Sequence, residues 1–243
     1  MLVTQEFSIK VDGYYPILND MHLAYGPGVH IIMGPNGVGK STFAHALMGS
    51  PHLKVEGAVE LNGKDLLAME TYERARAGLF VGFQNPTPIE GLSNFQFMRQ
   101  SLNSIREDVS LKDSLDTFKT LAEELGLGDT WDKKQLNVQA SGGEKKKNEL
   151  IQLEMLDPQI AILDEPDSGL DIDAIKVLTQ KLNDFVQKEN KTLIIISHYA
   201  QLITSLNPQT VTVFDKLGYA KQHDDIQVAY DILENGFNGW VRI

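Results

Sequence analysis

Cysteine is absent from all 243 residues. That excludes disulfides, thiolate metal sites and a cysteine nucleophile. Long apolar runs are missing too. None approaches the roughly 20 residues that a membrane-spanning helix needs, and the longest candidates, such as Thr192 to Ile196, read as buried strands. The N-terminus has no basic start followed by an apolar stretch, so nothing there reads as a signal peptide. Positive charge is in short supply, with 22 Lys and Arg against 33 Asp and Glu and a formal net charge of −11. A chain this acidic is a poor match for a phosphate backbone, so nucleic acid is not an expected partner. The six histidines are scattered without a metal-ligand pattern such as HExxH. These absences lead us to expect a soluble cytoplasmic protein (or, in a eukaryote, one of an organelle stroma or matrix) with no direct membrane insertion.

What remains is an ordinary globular composition, 42% apolar, enough for one α/β domain or a core with a lobe inserted into it. The first part, to about Asn62, reads as β-rich. Phe7, Ile9 and Val11 alternate with polar residues, and Val29 to Met33 is an apolar run after a Gly-Pro-Gly turn. From about Gln84 to Pro158 the spacing turns helical, over Phe95 to Ile105, Leu115 to Leu125 and Glu144 to Leu156. Alternation of strand and helix then returns, with strands at Ile160 to Leu163, Thr192 to Ile196 and Val211 to Phe214 and a helix over Ile172 to Gln187. This order predicts an α/β fold with a mainly parallel sheet. The expected division is a core of about 1–84 and 159–243, interrupted by a helical lobe at about 85–158.

The strongest motif is Gly34-Pro35-Asn36-Gly37-Val38-Gly39-Lys40-Ser41, which fits GxxxxGK[ST] at every fixed position and is followed by Thr42. Glycines let backbone N–H groups turn inward around phosphates. Lysine supplies a point charge to the β- and γ-phosphates, and the serine hydroxyl is placed to ligate Mg²⁺. The helix that follows directs its positive end at the anion. The reading is a Mg-ATP site. Farther on, the apolar strand Ile160 to Leu163 ends in Asp164-Glu165, which places two carboxylates at the carboxyl edge of a parallel sheet, where ligands bind. Asp164 suits the metal, and Glu165 suits polarising an attacking water. Ser141-Gly142-Gly143-Glu144 reads as a capping box that opens a helix and presents backbone N–H groups.

Ala140 to Glu144 resembles the LSGGQ signature of the ATP-binding cassette (ABC) ATPases. The resemblance extends to Gln84 as the Q-loop residue, Ser168-Gly169-Leu170-Asp171 as the D-loop and His198 as the switch histidine, so the motifs run from Gly34 to His198. It implies a P-loop NTPase with a RecA-like, mainly parallel sheet, an antiparallel β subdomain and an inserted helical subdomain. It also implies ATP-dependent homodimerisation, head to tail, with each ATP held between the phosphate loop of one copy and Ser141, Gly142 and Gly143 of the other. Asp171 and Gln84 join the nucleotide site, Gln84 and Ser41 the metal. Lys40, Glu165 and His198 carry the hydrolysis.

Within the family the chain is most similar to the SufC-like ATPases of iron–sulfur cluster assembly. The residues that carry this are Gly142 to Glu149, Ala161 to Ala174, Phe83 to Pro86, Gly91 to Asn94 and Ser197-His198-Tyr199. Most transporter subunits have Gln at position 144 and Ser-Ala-Leu-Asp in the D-loop. The expected partners are SufB-like and SufD-like scaffold proteins. The alternative is the nucleotide-binding subunit of a membrane transporter. Ala140, Val38, Pro166 and Lys147 depart from common family residues, and no function is carried past Asp215. The adenine-stacking aromatic is expected near Tyr15 or Tyr14, although ungapped spacing points nearer Val11 and either tyrosine serves equally as a packing residue.

Overall fold

The computed structural model describes residues 1–11, 16–237 and 239–240. Its strands are β1 (Leu2–Val11), β2 (Pro16–Tyr25), β3 (Gly28–Met33), β4 (Leu53–Leu61), β5 (Lys64–Asp65), β6 (Leu79–Gly82), β7 (Ile89–Ser93), β8 (Gln135–Leu136), β9 (Ile160–Asp164), β10 (Thr192–Ile196), β11 (Thr210–Phe214) and β12 (Ala220–His223). The helices are α1 (Lys40–Leu47), α2 (Thr71–Arg76), α3 (Asn94–Ile105), α4 (Leu111–Glu124), α5 (Gly142–Leu156), α6 (Ile172–Gln187), α7 (Ala200–Leu206) and α8 (Gln227–Asn235).

The expected mainly parallel sheet is present. Its order is β12-β11-β3-β10-β9-β6, and every pairing is parallel except that of the edge strand β12 with β11. β9 and β10 are buried at every position, as parallel strands covered on both faces must be. Successive side chains therefore feed two different cores. Ile31, Leu163, Leu193 and Ile195 enter one core with Met98, Phe118, Trp131 and Ile151 of the helical block and with α6 to α8. Ile32, Ile162, Ile194 and Ile196 enter the other with Phe43 and Leu47 of α1 and with Phe7, Ile9, Leu18 and Met21.

Those last residues belong to the expected antiparallel sheet, ordered β2-β1-β4-β5. α1 is thus held between two sheets. The β4–β5 turn is Asn62-Gly63, both with positive φ (+53 and +78), as a two-residue hairpin requires. The register of β1 against β4 slips between Gln5 and Ser8. Glu6 takes φ +50 there, and Gly57 across from it leaves room that a Cβ would deny, within 2.4 Å of the Glu6 carbonyl oxygen. This is a bulge that bends the sheet over α1.

The helical block, β7 to α5, shares its core with the parallel sheet and builds no core of its own. A buried relay joins its parts. The Trp131 indole N–H donates to Asn148 Oδ1, the Asn148 amide donates to Asn94 Oδ1, and the Asn94 amide donates to the Trp131 carbonyl. After Asp215, beyond the last motif, the chain adds β12 and α8.

Candidate nucleotide site

Gly34 to Gly39 link β3 to α1, and Lys40, Ser41 and Thr42 form the first turn of α1. Helices α3, α4, α5 and α6 each start on a serine or aspartate side chain that accepts a backbone N–H. α1 starts on Gly39, which has no side chain to do so. Its first N–H groups are left for an anion. Gly39 has φ +100, and a Cβ there would come within 2.8 Å of Leu18 and 2.9 Å of Ile17 in β2, so this turn of the loop demands glycine.

Lys40 is buried, at 7% exposure. Its ammonium donates to the carbonyls of Gly34 (2.6 Å) and Pro35 (2.9 Å). Burial lowers its pKa, and the carboxylates of Glu165 and Asp164 oppose that shift. Asp164 closes β9, and its Oδ2 is buried without a hydrogen-bond partner. Burial pushes this carboxyl up and the neighbouring Glu165 charge adds to that, while the Ser41 hydroxyl favours the ionised form. Glu165 follows in the left-handed region (φ +47), sparsely populated for such a residue. Its N–H still bonds to the Ile196 carbonyl of β10 (2.9 Å), and its carboxylate accepts from the Gln84 amide (2.5 Å).

His198 lies between β10 and α7, half-buried, and its Nε2 is buried without a partner. Burial and the Lys40 charge lower its pKa, while the Glu165 and Asp167 carboxylates raise it. An imidazole kept neutral in this way is available for hydrogen bonding. The structure thus brings Lys40, Ser41, Gln84, Asp164, Glu165 and His198 together.

Ser141, Gly142 and Gly143 lie elsewhere. Ser141 caps α5, accepting from the Glu144 N–H (3.2 Å) while its own N–H donates to Glu144 Oε2 (2.8 Å). Gly143 packs on Gly169 of the D-loop, where a Cβ would come within 3.0 Å of the Gly169 carbonyl. Asp171 caps α6 through the Ala174 N–H. Among the described residues, no hydrogen bond joins Ser141, Gly142, Gly143 or Asp171 to the phosphate loop. Tyr14 and Tyr15 lie outside the described residues.

Several participants were not visible in the sequence. Lys146 and Glu149, one turn apart on α5, are 5% and 9% exposed. Glu149 accepts the Phe83 N–H (2.8 Å), and Lys146 donates to Glu149 Oε2 (3.2 Å), the Phe83 carbonyl (2.7 Å) and the Asp164 carbonyl (3.0 Å). This clamp joins the helix that Ser141 caps to the ends of β6 and β9. Burial pushes the Glu149 carboxyl up to about 7, with Lys146 pulling it down. In the sequence, Lys146 and Glu149 stand out only within the run Gly142 to Glu149, and nothing there marks these two charges as buried. Likewise, Asp167 Oδ1 accepts from the Ser197 hydroxyl, whose oxygen accepts the Tyr199 N–H. This ties the turn after β9 to the His198 loop.

The chemistry of this donor set fits Mg-ATP. Mg²⁺ takes few protein ligands and fills its octahedron with water and phosphate oxygens. An orphaned buried carboxylate oxygen on Asp164, beside the Ser41 hydroxyl, is the kind of partial shell that suits it. The uncapped α1 start and the Lys40 ammonium suit the phosphates.

A family model described as ABC transporter matches residues 18–168. Vegetative protein 296 of Bacillus subtilis (strain 168) is 38% identical over 99% of this chain and 93% of its own length. The probable ATP-dependent transporter ycf16 of Cyanophora paradoxa is 38% identical over 96% of this chain and 94% of its own. A probable ABC transporter ATP-binding protein of Streptococcus pyogenes serotype M18 is 39% identical over 95% and 98%. Among solved structures, the ATP-binding cassette MJ0796, a dimer bound to ADP and Pi after hydrolysis, superposes with a TM-score of 0.76 at 18% identity, over 92% of this chain and 98% of that one. With the phosphate loop, the paired acids and His198 assembled on the fold of those cassettes, the chain belongs to the ABC transporter family, as an ATPase that binds and hydrolyses ATP with Mg²⁺.

Proposed function

We propose that the chain is a SufC-like ATPase, and that two copies close head to tail on ATP to drive a conformational change in an iron–sulfur cluster assembly scaffold resembling SufB and SufD. The observation that carries this is the run Gly142 to Glu149. Its SufC-like residues are built into the structure, Glu144 in the capping box and Lys146 with Glu149 in the buried clamp. Having no cysteine, the chain supplies motion, and a cysteine-bearing partner supplies cluster ligands. The core of about 1–84 and 159–243 carries the catalytic residues, and the lobe of about 85–158 meets the partner. An apolar groove of about 800 Å³ beside Gln84, lined in part by Phe83, Pro86, Phe97, Ile105 and Leu156, is the surface for it. Phe95 instead packs on Phe118 in the core. We place this assembly in the cytoplasm or an organelle stroma or matrix. Among the described residues, no helix is long and apolar enough to cross a membrane.

In this reading Mg-ATP supplies the γ-phosphoryl electrophile. Lys40 exchanges the carbonyls of Gly34 and Pro35 for phosphate oxygens. Ser41 and Asp164, with Gln84, hold the metal. Glu165, released from Gln84, takes a proton from water at its carboxylate. His198, and Ser141, Gly142 and Gly143 from the other copy with Asp171 near them, surround the charge that develops. The second reading is the nucleotide-binding subunit of a membrane transporter, which the names of the relatives favour. A pull-down with Glu165→Gln and ATP separates them. A co-purified soluble protein rich in cysteine supports the first, and a multi-span membrane protein sinks it.

A further inference from the structure

The segment after Asp215 carries no family motif, yet it returns to the nucleotide site. β12 pairs antiparallel with β11, beside β3. α8 then buries Val228, Ala229 and Ile232 in the core that β3 shares. The helix ends at Gly236 (φ +74), and beyond it the Trp240 N–H donates to the Phe237 carbonyl (3.0 Å). Trp240 is itself held, by its indole N–H on Asp231 and by an edge-to-face contact with His223 at 5.5 Å. Phe237 is therefore fixed on both sides.

Phe237 meets His198. The ring centroids are 5.9 Å apart at 89°, within the range of favourable edge-to-face pairs. The two rings line a cavity of about 470 Å³ with Ile232, Leu233, and Pro35 and Asn36 of the phosphate loop. The backbone at His198 is anchored through Ser197 to Asp167. The imidazole is not so anchored, since its buried Nε2 has no hydrogen-bond partner. What is left to hold the ring is packing, and Phe237 provides it.

We infer that Phe237 is a positioning residue for His198, with α8 forming an apolar wall that holds the imidazole beside the phosphate loop. The inference rests on the reading of His198 as part of the hydrolytic site. An imidazole free to change rotamer would spend less time in the reactive arrangement, and a small angular error is costly in a preorganised site.

The test is a double-mutant cycle on the full chain, assayed for phosphate release with and without its partners. Phe237→Ala should lower kcat about five-fold with KM for ATP within two-fold, and Phe237→Tyr should keep the wild-type rate. In the His198→Ala background, Phe237→Ala should cause no further loss. If Phe237→Ala melts below the assay temperature, Phe237→Leu, which keeps apolar volume without a ring, takes its place in the same cycle. A wild-type rate for the Phe237 variant beside a slow His198→Ala overturns the inference alone. So does a loss that persists undiminished in the His198→Ala background. A wild-type rate for His198→Ala overturns the reading of His198, and the inference with it.

Discussion

The phosphate loop and the Ser141 turn are both helix starts rich in glycine, and they are left in opposite conditions. α1 begins deep between two sheets, with no side-chain cap, a buried ammonium on two carbonyls of its own loop, and an orphaned carboxylate oxygen nearby. α5 begins at the surface, and its capping box satisfies the Ser141 and Glu144 N–H groups from within. Buried polar groups without partners cost stability unless something completes them. The first start is therefore shaped for a ligand that enters the protein. The second is a capped helix end, stable as it stands, with its exposed face and the N–H groups of Gly142 and Gly143 to offer. One deep start and one surface start are the division that the proposed head-to-tail pair of copies needs.

Substitutions can break this contrast at either end. The largest effect belongs to the deep half. Lys40→Ala should reduce ATP turnover by about a thousand-fold or more, with nucleotide binding also weakened, as titration with a fluorescent ATP analogue would reveal. Glu165→Gln should cut kcat by roughly a hundred-fold while ATP still binds. Gel filtration with ATP should then find a dimer that wild type forms only transiently, and a variant that stays monomeric would refute the split-site account.

The surface half gives a finer comparison, because the cap and the hydroxyl can be separated. Ser141→Ala should lower stability by about 1 kcal/mol, whereas Ser141→Gly should cost only a few tenths. If the hydroxyl serves a second copy, both should slow hydrolysis, by about ten-fold, although only the alanine variant melts earlier. Equal activity of Ser141→Gly and wild type would reduce Ser141 to a cap.

A change in pH tests the clamp that ties the two helix starts together. Glu149 holds its proton up to about pH 7 in the fold because of burial, although Lys146 opposes this, and an ordinary glutamate releases it near pH 4.3. Between those values the folded state binds more protons than the unfolded one. Stability should therefore be greatest at the acid end and fall as pH rises, by at most about 1.4 kcal/mol per pH unit from this group. Melting temperatures of wild type and Glu149→Gln across pH 4.5–7.5 should show that slope, and its loss in the variant.

The sequence announced what rests on short-range pattern. α6 and β10 fall on the residues expected, because Asp171 caps the helix and both elements have unbroken apolar periodicity. The phosphate loop, Asp164, Glu165 and His198 were legible because their order and spacing are themselves the signal. What escaped depends on distant partners. β12 is a strand only because β11 offers an edge. Lys146 and Glu149 look like solvent-facing charges until Phe83 and Asp164 arrive from β6 and β9. Phe237 stands in a stretch without any motif, 39 positions beyond His198 by subtraction of their numbers (237 − 198), and only the fold makes them neighbours. The helical block reads in the sequence as an inserted lobe, but that its apolar faces merge with the sheet's core is not legible there, because apolar periodicity does not reveal which surface a helix will meet.

A hydroxyl group owns two lone pairs and a single proton. In capping α5, Ser141 accepts a hydrogen bond from Glu144 and so commits a lone pair. Its proton is not consumed by that bond. The helix can stay capped at full strength while the same oxygen donates outward to an anion brought up from outside the chain. If two copies close on that face, as proposed, they can assemble and part repeatedly without unravelling a turn of helix, so each cycle need move only whole bodies and no secondary structure has to be rebuilt.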